Sequence, residues 1–199
     1  MSTATLTAPT TVRAVRTGEV DNRATYVSFG LAYVLGHGAA ALTKGADPLV
    51  ALPGWLPMTL LGLGLAAGTY YSTRAALRAQ RGAAEPEVLS GQLLGASWVT
   101  GFAALFLAIT GLASTVDVGD LQTVLWPTGS GLVVGLLYLG EGAARRNVLH
   151  YCLGTWLALV SAAALFLDST GPFWVLTVAG GGGYAVSALL ERRRLAALA

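Results

Sequence analysis

Residues Trp174–Arg194 read WVLTVAGGGGYAVSALLERRR. The stretch begins with an aromatic residue, continues as an apolar run with four consecutive glycines, and ends in three arginines. Tryptophan is enriched where a membrane helix meets the lipid headgroups, small residues let two helices approach closely, and arginine stays on the cytoplasmic side. The same plan recurs in Trp55–Arg74 and Trp126–Arg145. The stretch predicts one transmembrane helix, and its recurrence predicts a structure built from repeated parts.

The composition of the chain favours lipid over water as its main surroundings. Of its 199 residues, 54% are hydrophobic and 11% are charged, whereas a soluble domain carries about 25% charged residues. The charges form short clusters between long apolar runs, which is the pattern that membrane spans require. We therefore expect the lipid bilayer as a partner and no nucleic acid.

Six apolar segments follow one another along the chain. Each has about 18 to 22 residues, close to the ~20 that cross a bilayer as a helix. A single span must satisfy its own backbone hydrogen bonds in lipid, so helix is the expected form. We predict an all-α polytopic membrane protein with six transmembrane helices: Ala24–Leu42, Val50–Tyr71, Leu93–Ala113, Leu121–Leu139, Val148–Leu167 and Phe173–Leu190.

The distribution of arginine predicts the orientation of these helices. All arginines lie on one side of the predicted spans, and Lys44 lies on the other. By the positive-inside rule, both termini are cytoplasmic and the chain belongs in the cell membrane. A disordered cytoplasmic tail, residues 1–23, precedes a single transmembrane domain, residues 24–190, and a basic cytoplasmic tail, residues 191–199, follows it. Short outer turns predict three antiparallel hairpins, residues 24–71, 93–139 and 148–190.

Glycines recur at short intervals in the even-numbered segments. Nucleotide-binding glycine loops need a strand, a turn and a solvated helix start, none of which this context provides. Small residues at such spacing typically bring two membrane helices together. We predict a helix-packing role for six glycines: Gly64, Gly68, Gly131, Gly135, Gly181 and Gly183.

Tryptophan marks the beginning of each even-numbered segment. Trp55, Trp126 and Trp174 are expected to anchor the outer interface of the membrane. The alternative is an aromatic-lined outer mouth for an apolar ligand.

His37 lies deep in the first apolar segment, between Gly36 and Gly38. Ionisable groups inside a membrane are costly and are therefore candidates for function. The alternative is a neutral histidine that packs between helices and forms one hydrogen bond to a neighbour. We take His37 as a candidate for a substrate or proton pathway.

Glu141 and His150 lie near the cytoplasmic end of the fourth and fifth segments. Glu141 precedes Arg145 by four residues, the favourable order for a helical ion pair. A proton or cation relay between Glu141 and His150 is the functional alternative, so both are pathway candidates. The distance to His37, roughly half the ~30 Å membrane core, argues against one site shared by all three.

The loop after the second segment begins STRAALRAQRG, residues 72–82, with Arg74, Arg78 and Arg81 at helical spacing. With six spans, cytoplasmic termini, internal repeats and this loop, the chain resembles a small bacterial permease subunit of an ATP-driven transporter. The resemblance implies that the three arginines face a cytoplasmic ATPase subunit. It also implies transport through a homo-oligomer or hetero-oligomer, since six tightly packed helices leave little internal space, and an ATPase subunit is needed because the chain has no ATPase motif.

The repeated two-span plan is also similar to HdeD-like membrane proteins, which implies a non-transporting role in stress response or membrane assembly. The sequence has no catalytic triad, paired carboxylates or metal-ligand spacing. We therefore expect no enzyme activity, no cofactor and no metal. The single cysteine, Cys152, is expected to be a buried, inert thiol.

Overall fold

The computed structural model describes residues 19–116, 121–167 and 170–198. Within these ranges the chain is helical and contains no strand, which confirms the all-α prediction. The predicted N-terminal tail falls largely on residues 1–18, outside the described residues. The long helices are α1 (Arg23–Leu31, continuing through a π-helical segment Ala32–His37 to Gly38–Thr43), α2 (Leu56–Ala79), α3 (Glu85–Thr115), α4 (Leu121–Ala144), α5 (Val148–Phe166) and α6 (Gly171–Leu198).

Local sequence explains several helix ends. Pro57 lies in the first turn of α2, where its missing N–H removes no helical hydrogen bond. At the other end, α2 stops at Ala79, and Gly82 adopts a φ of +77° that favours glycine. At the start of α5, the backbone N–H of His150 donates to the side-chain oxygen of Asn147 at 3.1 Å.

The number of apolar helices corrects the sequence prediction. In the described residues, four helices are long and apolar enough to cross a membrane, not six: α3, α4, α5 and α6. The first two predicted spans do form helices, α1 and α2, but polar residues lower their mean hydropathy. Tyr26, Tyr33 and His37 interrupt the apolar run of α1, and Tyr70 and Tyr71 interrupt that of α2. The four apolar helices fit an integral membrane protein.

Neighbouring helices pack antiparallel. The most extensive contact joins α4 to α5, which the sequence assigns to different hairpins, and α1 packs against both α2 and α6. Residues that face each other across these contacts are Ala32 with Gly64 and Gly36 with Leu61 (α1–α2), Gly30 with Tyr184 and Gly38 with Thr177 (α1–α6), Gly101 with Val133 and Gly129 with Leu105 (α3–α4), and Gly135 with Ala158 and Gly142 with Tyr151 (α4–α5).

The bundle is closed on one side and open on the other. Consecutive helices α2 and α3 hardly contact each other, and α3 is exposed along nearly its whole length.

Cys152 is exposed on α5, contrary to the expectation of a buried thiol, because it lies on the outer face of that helix.

The six glycines singled out in the sequence each lie against another helix. A Cβ added at any of them would meet an atom of that helix at less than ordinary contact distance. The partners are Ala32 for Gly64, Phe29 for Gly68, Ser161 for Gly131, Ala158 for Gly135, Val34 for Gly181 and Trp156 for Gly183.

We predict that Gly135→Ala lowers the thermal stability of the protein in detergent. The new Cβ would lie 2.8 Å from the Cα of Ala158, so the backbones of α4 and α5 must separate. Gly140→Ala is the matched control, since it lies on the same helix with nothing within 4 Å of its Cβ. Both changes gain about 1 kcal/mol of helix propensity. Equal melting temperatures for the two variants would contradict the packing role.

Candidate functional site

A large cavity lies among α1, α2, α3 and α4. Its volume is about 1030 Å³, at the upper end of the roughly 300–1,000 Å³ typical of small-molecule sites. Aromatic and aliphatic side chains form most of its wall, including Phe29, Tyr33, Leu61, Trp98, Phe102 and Trp126.

His37 lies on the wall of this cavity, at the end of the π-helical segment of α1. A second π-helical segment, Leu176–Gly180 in α6, packs against the first, and such segments are frequent at functional sites. The ring of His37 meets Tyr33 edge-on at 5.0 Å between centroids. Among the described residues no group forms a hydrogen bond with the ring of His37. Its ring nitrogens are therefore free to bind a molecule in the cavity.

Four polar side chains lie at the end of the cavity where α1 stops and α4 starts, while Thr69 and Ser130 line other parts of its wall. Thr43, Lys44, Gln122 and Thr123 line this end. The Lys44 ammonium lies 5.8 Å from the centroid of the Phe173 ring, a cation–π contact. The cavity thus combines a long apolar wall with one polar, cationic end.

A buried polar cluster lies at the opposite end of the bundle. The Tyr26 hydroxyl and His150 Nδ1 share a hydrogen bond of 2.7 Å. With Tyr26 as the donor, the imidazole carries its proton on Nε2, which faces Glu141 Oε2 at 3.6 Å, beyond hydrogen-bond distance. Arg145 Nε donates to Glu141 Oε1 at 3.0 Å. Glu141 thus forms the ion pair with Arg145 and lies near His150, while the relay between Glu141 and His150 stays a prediction.

Buried tyrosines join the two histidines through ring contacts. The centroid of His150 lies 4.1 Å from that of Tyr138, which lies 6.3 Å from Tyr184. Tyr184 in turn contacts Tyr33, at 5.2 Å, beside His37. The sequence placed His37 apart from the other two candidates, and the structure keeps them apart but fills the space between them with aromatic side chains.

Glu191 is the fully buried carboxylate of the described residues and joins the segment before α1 to the end of α6. Its Oε1 accepts from the backbone N–H of Asn22 at 3.0 Å, and Arg194 Nε donates to its Oε2 at 2.6 Å. Arg194 also pairs with Glu19. Just before α1, Arg23 donates to the Asp21 carboxylate, and this hydrogen bond holds the pKa of Asp21 below its usual value.

The three arginines predicted to meet a partner are exposed. Arg74 and Arg78 lie on the last two turns of α2, and Arg81 lies just beyond its end. Arg74 Nη1 donates to the Tyr70 hydroxyl at 2.9 Å. Most of the segment predicted as a loop, residues 72–82, therefore belongs to α2 itself.

The predicted tryptophan anchors fall in two kinds of place. Trp55 and Trp174 are exposed on the outside of the bundle, as interface anchors would be. Trp126 lines the cavity instead, which matches the alternative of an aromatic-lined mouth.

Sequence reasoning missed the tyrosine cluster and Glu191. Tyr26 and Tyr33 are seven residues apart, as are Tyr184 and Glu191, and residues at this spacing lie on one face of a helix. This seven-residue spacing is the feature of the sequence from which the buried cluster could have been predicted. Glu191 escaped notice because it adjoins three arginines and resembles the start of a charged tail.

Comparisons with known proteins give this geometry no precedent: the chain matches no family model, no curated protein and no solved structure. In the described ranges, no three His, Cys, Asp or Glu side chains are grouped to hold a metal ion.

We predict that Tyr26→Phe destabilises the protein by about 1–3 kcal/mol, because it leaves His150 Nδ1 buried without its partner. Thermal unfolding in detergent measures the effect. Tyr151→Phe, an exposed tyrosine one residue from His150, is the control and is expected to change stability little. A Tyr26→Phe protein as stable as the control would show that this hydrogen bond does not hold the cluster together.

Proposed function

We propose that this chain is a transport-type, permease-like integral membrane protein whose substrate occupies the cavity beside His37. The cavity is the observation that carries the proposal. A bundle that served only as an anchor could close its helices around one another, since lipid-embedded helices are held by close packing. Here a space of about 1030 Å³ remains between four helices, with a histidine on its wall.

The proposal includes α1 and α2 as two further membrane crossings, arranged with the apolar helices as three hairpins. In α1 the polar side chains Tyr26, Tyr33 and His37 are buried among neighbouring helices, which keeps them away from lipid. Contacts between Glu191 and Asn22 bring the two ends of the described chain to one end of the bundle, which supports an even number of crossings. The arginines at that end support cytoplasmic termini.

Within this function, His37 lines the path of the substrate through the cavity, and the cluster of Tyr26, Glu141 and His150 at the cytoplasmic end passes a proton. Glu141 Oε2 and His150 Nε2 are 3.6 Å apart, so a small movement of either side chain brings them within hydrogen-bond distance. When the imidazole is protonated on both nitrogens, with Nδ1–H donating to the Tyr26 hydroxyl oxygen, it can give its Nε2 proton to the Glu141 carboxylate and become neutral. The buried hydroxyl of Tyr26 keeps the imidazole in the orientation that this transfer needs.

The exposed arginines on and just beyond α2 are proposed to bind a cytoplasmic ATPase subunit. Their row lies beyond the apolar part of α2, where it can reach a soluble protein. Three positive charges favour an acidic surface on that partner. Because the chain has no ATPase motif of its own, ATP hydrolysis by such a subunit supplies the energy for transport.

We predict that the chain, purified in mild detergent, retains an ATP-hydrolysing partner, and that the triple change Arg74→Glu, Arg78→Glu and Arg81→Glu removes it. Reversing three charges repels an acidic surface that the arginines attract. The double change Arg192→Glu and Arg193→Glu is the control, because these exposed arginines lie at the same end of the bundle on α6.

The measurement is ATP hydrolysis in the purified fraction, compared among the unchanged chain and both variants. Absence of ATPase activity with the unchanged chain would contradict the proposal and favour the non-transporting, HdeD-like role. Equal loss in both variants would show that the arginines of α2 are not the docking surface.

A further inference from the structure

The cavity opens sideways, toward the region that lipid occupies in a membrane. Its rim between α2 and α3 carries exposed side chains, Met58 at 69% and Val99 at 73%. The two helices hardly contact each other along this opening. A molecule dissolved in the bilayer can therefore enter between α2 and α3 without crossing water.

The wall of the cavity is suited to a long apolar group. Leu61 and Leu65 of α2 face Trp98, Phe102 and other apolar residues across the space. Burying apolar surface gains little free energy when the ligand comes from lipid, so the apolar wall accommodates an alkyl chain but adds little preference for one apolar ligand over another. Selectivity must come from the polar groups.

Charge at the polar end favours an anion. Lys44 is the one lysine of the chain, and the described residues that line the cavity include no Asp or Glu. Gln122 and Thr123 add amide and hydroxyl donors at this end of the cavity, whereas the Thr43 hydroxyl donates to the backbone carbonyl of Ala39 at 2.7 Å. Hydrogen bonds between such donors and a carboxylate are short and strong, whereas a cationic headgroup would meet repulsion from Lys44.

We propose that the cavity binds a single-chain anionic amphiphile, a long-chain carboxylate, which enters from the bilayer between α2 and α3. The headgroup lies at Lys44, Gln122 and Thr123, and the chain runs along the aromatic wall toward His37. This inference rests on the proposed function, of which it names the substrate class.

The test measures saturable binding of radiolabelled palmitate to the full chain in nanodiscs of zwitterionic lipid. Palmitate is expected to bind, and unlabelled palmitate to displace it. The methyl ester of palmitate and cetyltrimethylammonium are expected to compete at least about tenfold more weakly, since each lacks the charge-assisted hydrogen bonds. Competition by either as strong as that by palmitate would overturn the proposal.

Two pairs of variants locate the site. Lys44→Gln is expected to weaken binding about tenfold, and Arg192→Gln, which removes an exposed charge of α6 outside the cavity, is expected to leave it unchanged. Val99→Trp is expected to block entry, whereas Leu107→Trp, at an exposed position of α3 that does not line the cavity, is not. Equal effects within either pair would place the amphiphile outside the cavity and overturn the proposal.

Failure of this inference can be told apart from failure of the proposed function. Retention of the ATPase partner is measured on the same preparations and does not involve Lys44 or Val99. A protein that keeps its partner but binds palmitate no better than its ester has the proposed function with another class of substrate.

Discussion

The outward-facing surface of the helices is apolar, and this constraint governs the rest of the structure. Large hydrophobic side chains such as Phe106, Leu107 and Phe166 are exposed on the outside of the bundle, Phe166 at 92%. Water would penalise this surface at about 25 cal/mol per Å², whereas lipid accepts it. Lipid in turn requires that polar side chains turn inward, which is where Tyr26, His150 and Glu191 lie.

In lipid, close packing rather than hydrophobic burial holds helices together, and the glycines determine where that packing occurs. Gly135 and Gly142 bring α4 onto α5, and Gly64 brings α2 onto α1. By contrast, Gly95 and Gly111 of α3 have no neighbour within 4 Å of a built Cβ. Consecutive helices thus pack against each other except α2 and α3, and the cavity is the space that this uneven packing leaves. The same asymmetry that opens the cavity also gives it access to the bilayer.

Much of the fold could be predicted because length and apolar runs specify membrane helices almost directly. The ion pair between Glu141 and Arg145 follows from their spacing on one helix, and the nearness of His150 follows from the short connection between α4 and α5. The tyrosine cluster could not be predicted in the same way, because its members come from α1, α4 and α6 and meet only through tertiary packing. The count of apolar helices erred at α1 for a related reason: a buried central helix tolerates Tyr33 and His37, and these residues lower its mean hydropathy. The cavity could not be predicted from the sequence, because it exists where α2 and α3 fail to pack against each other.

Cysteine accessibility in intact cells tests most directly whether lipid surrounds this bundle and whether α1 and α2 cross it. Single cysteines at Lys44, Ala83 and Leu107, in a Cys152→Ala background, are treated with a membrane-impermeant maleimide. The account predicts labelling at position 44 from outside, at position 83 only after permeabilisation, and at position 107 only after denaturation. Labelling of position 107 in intact membranes, or of positions 44 and 83 from the same side, would contradict it.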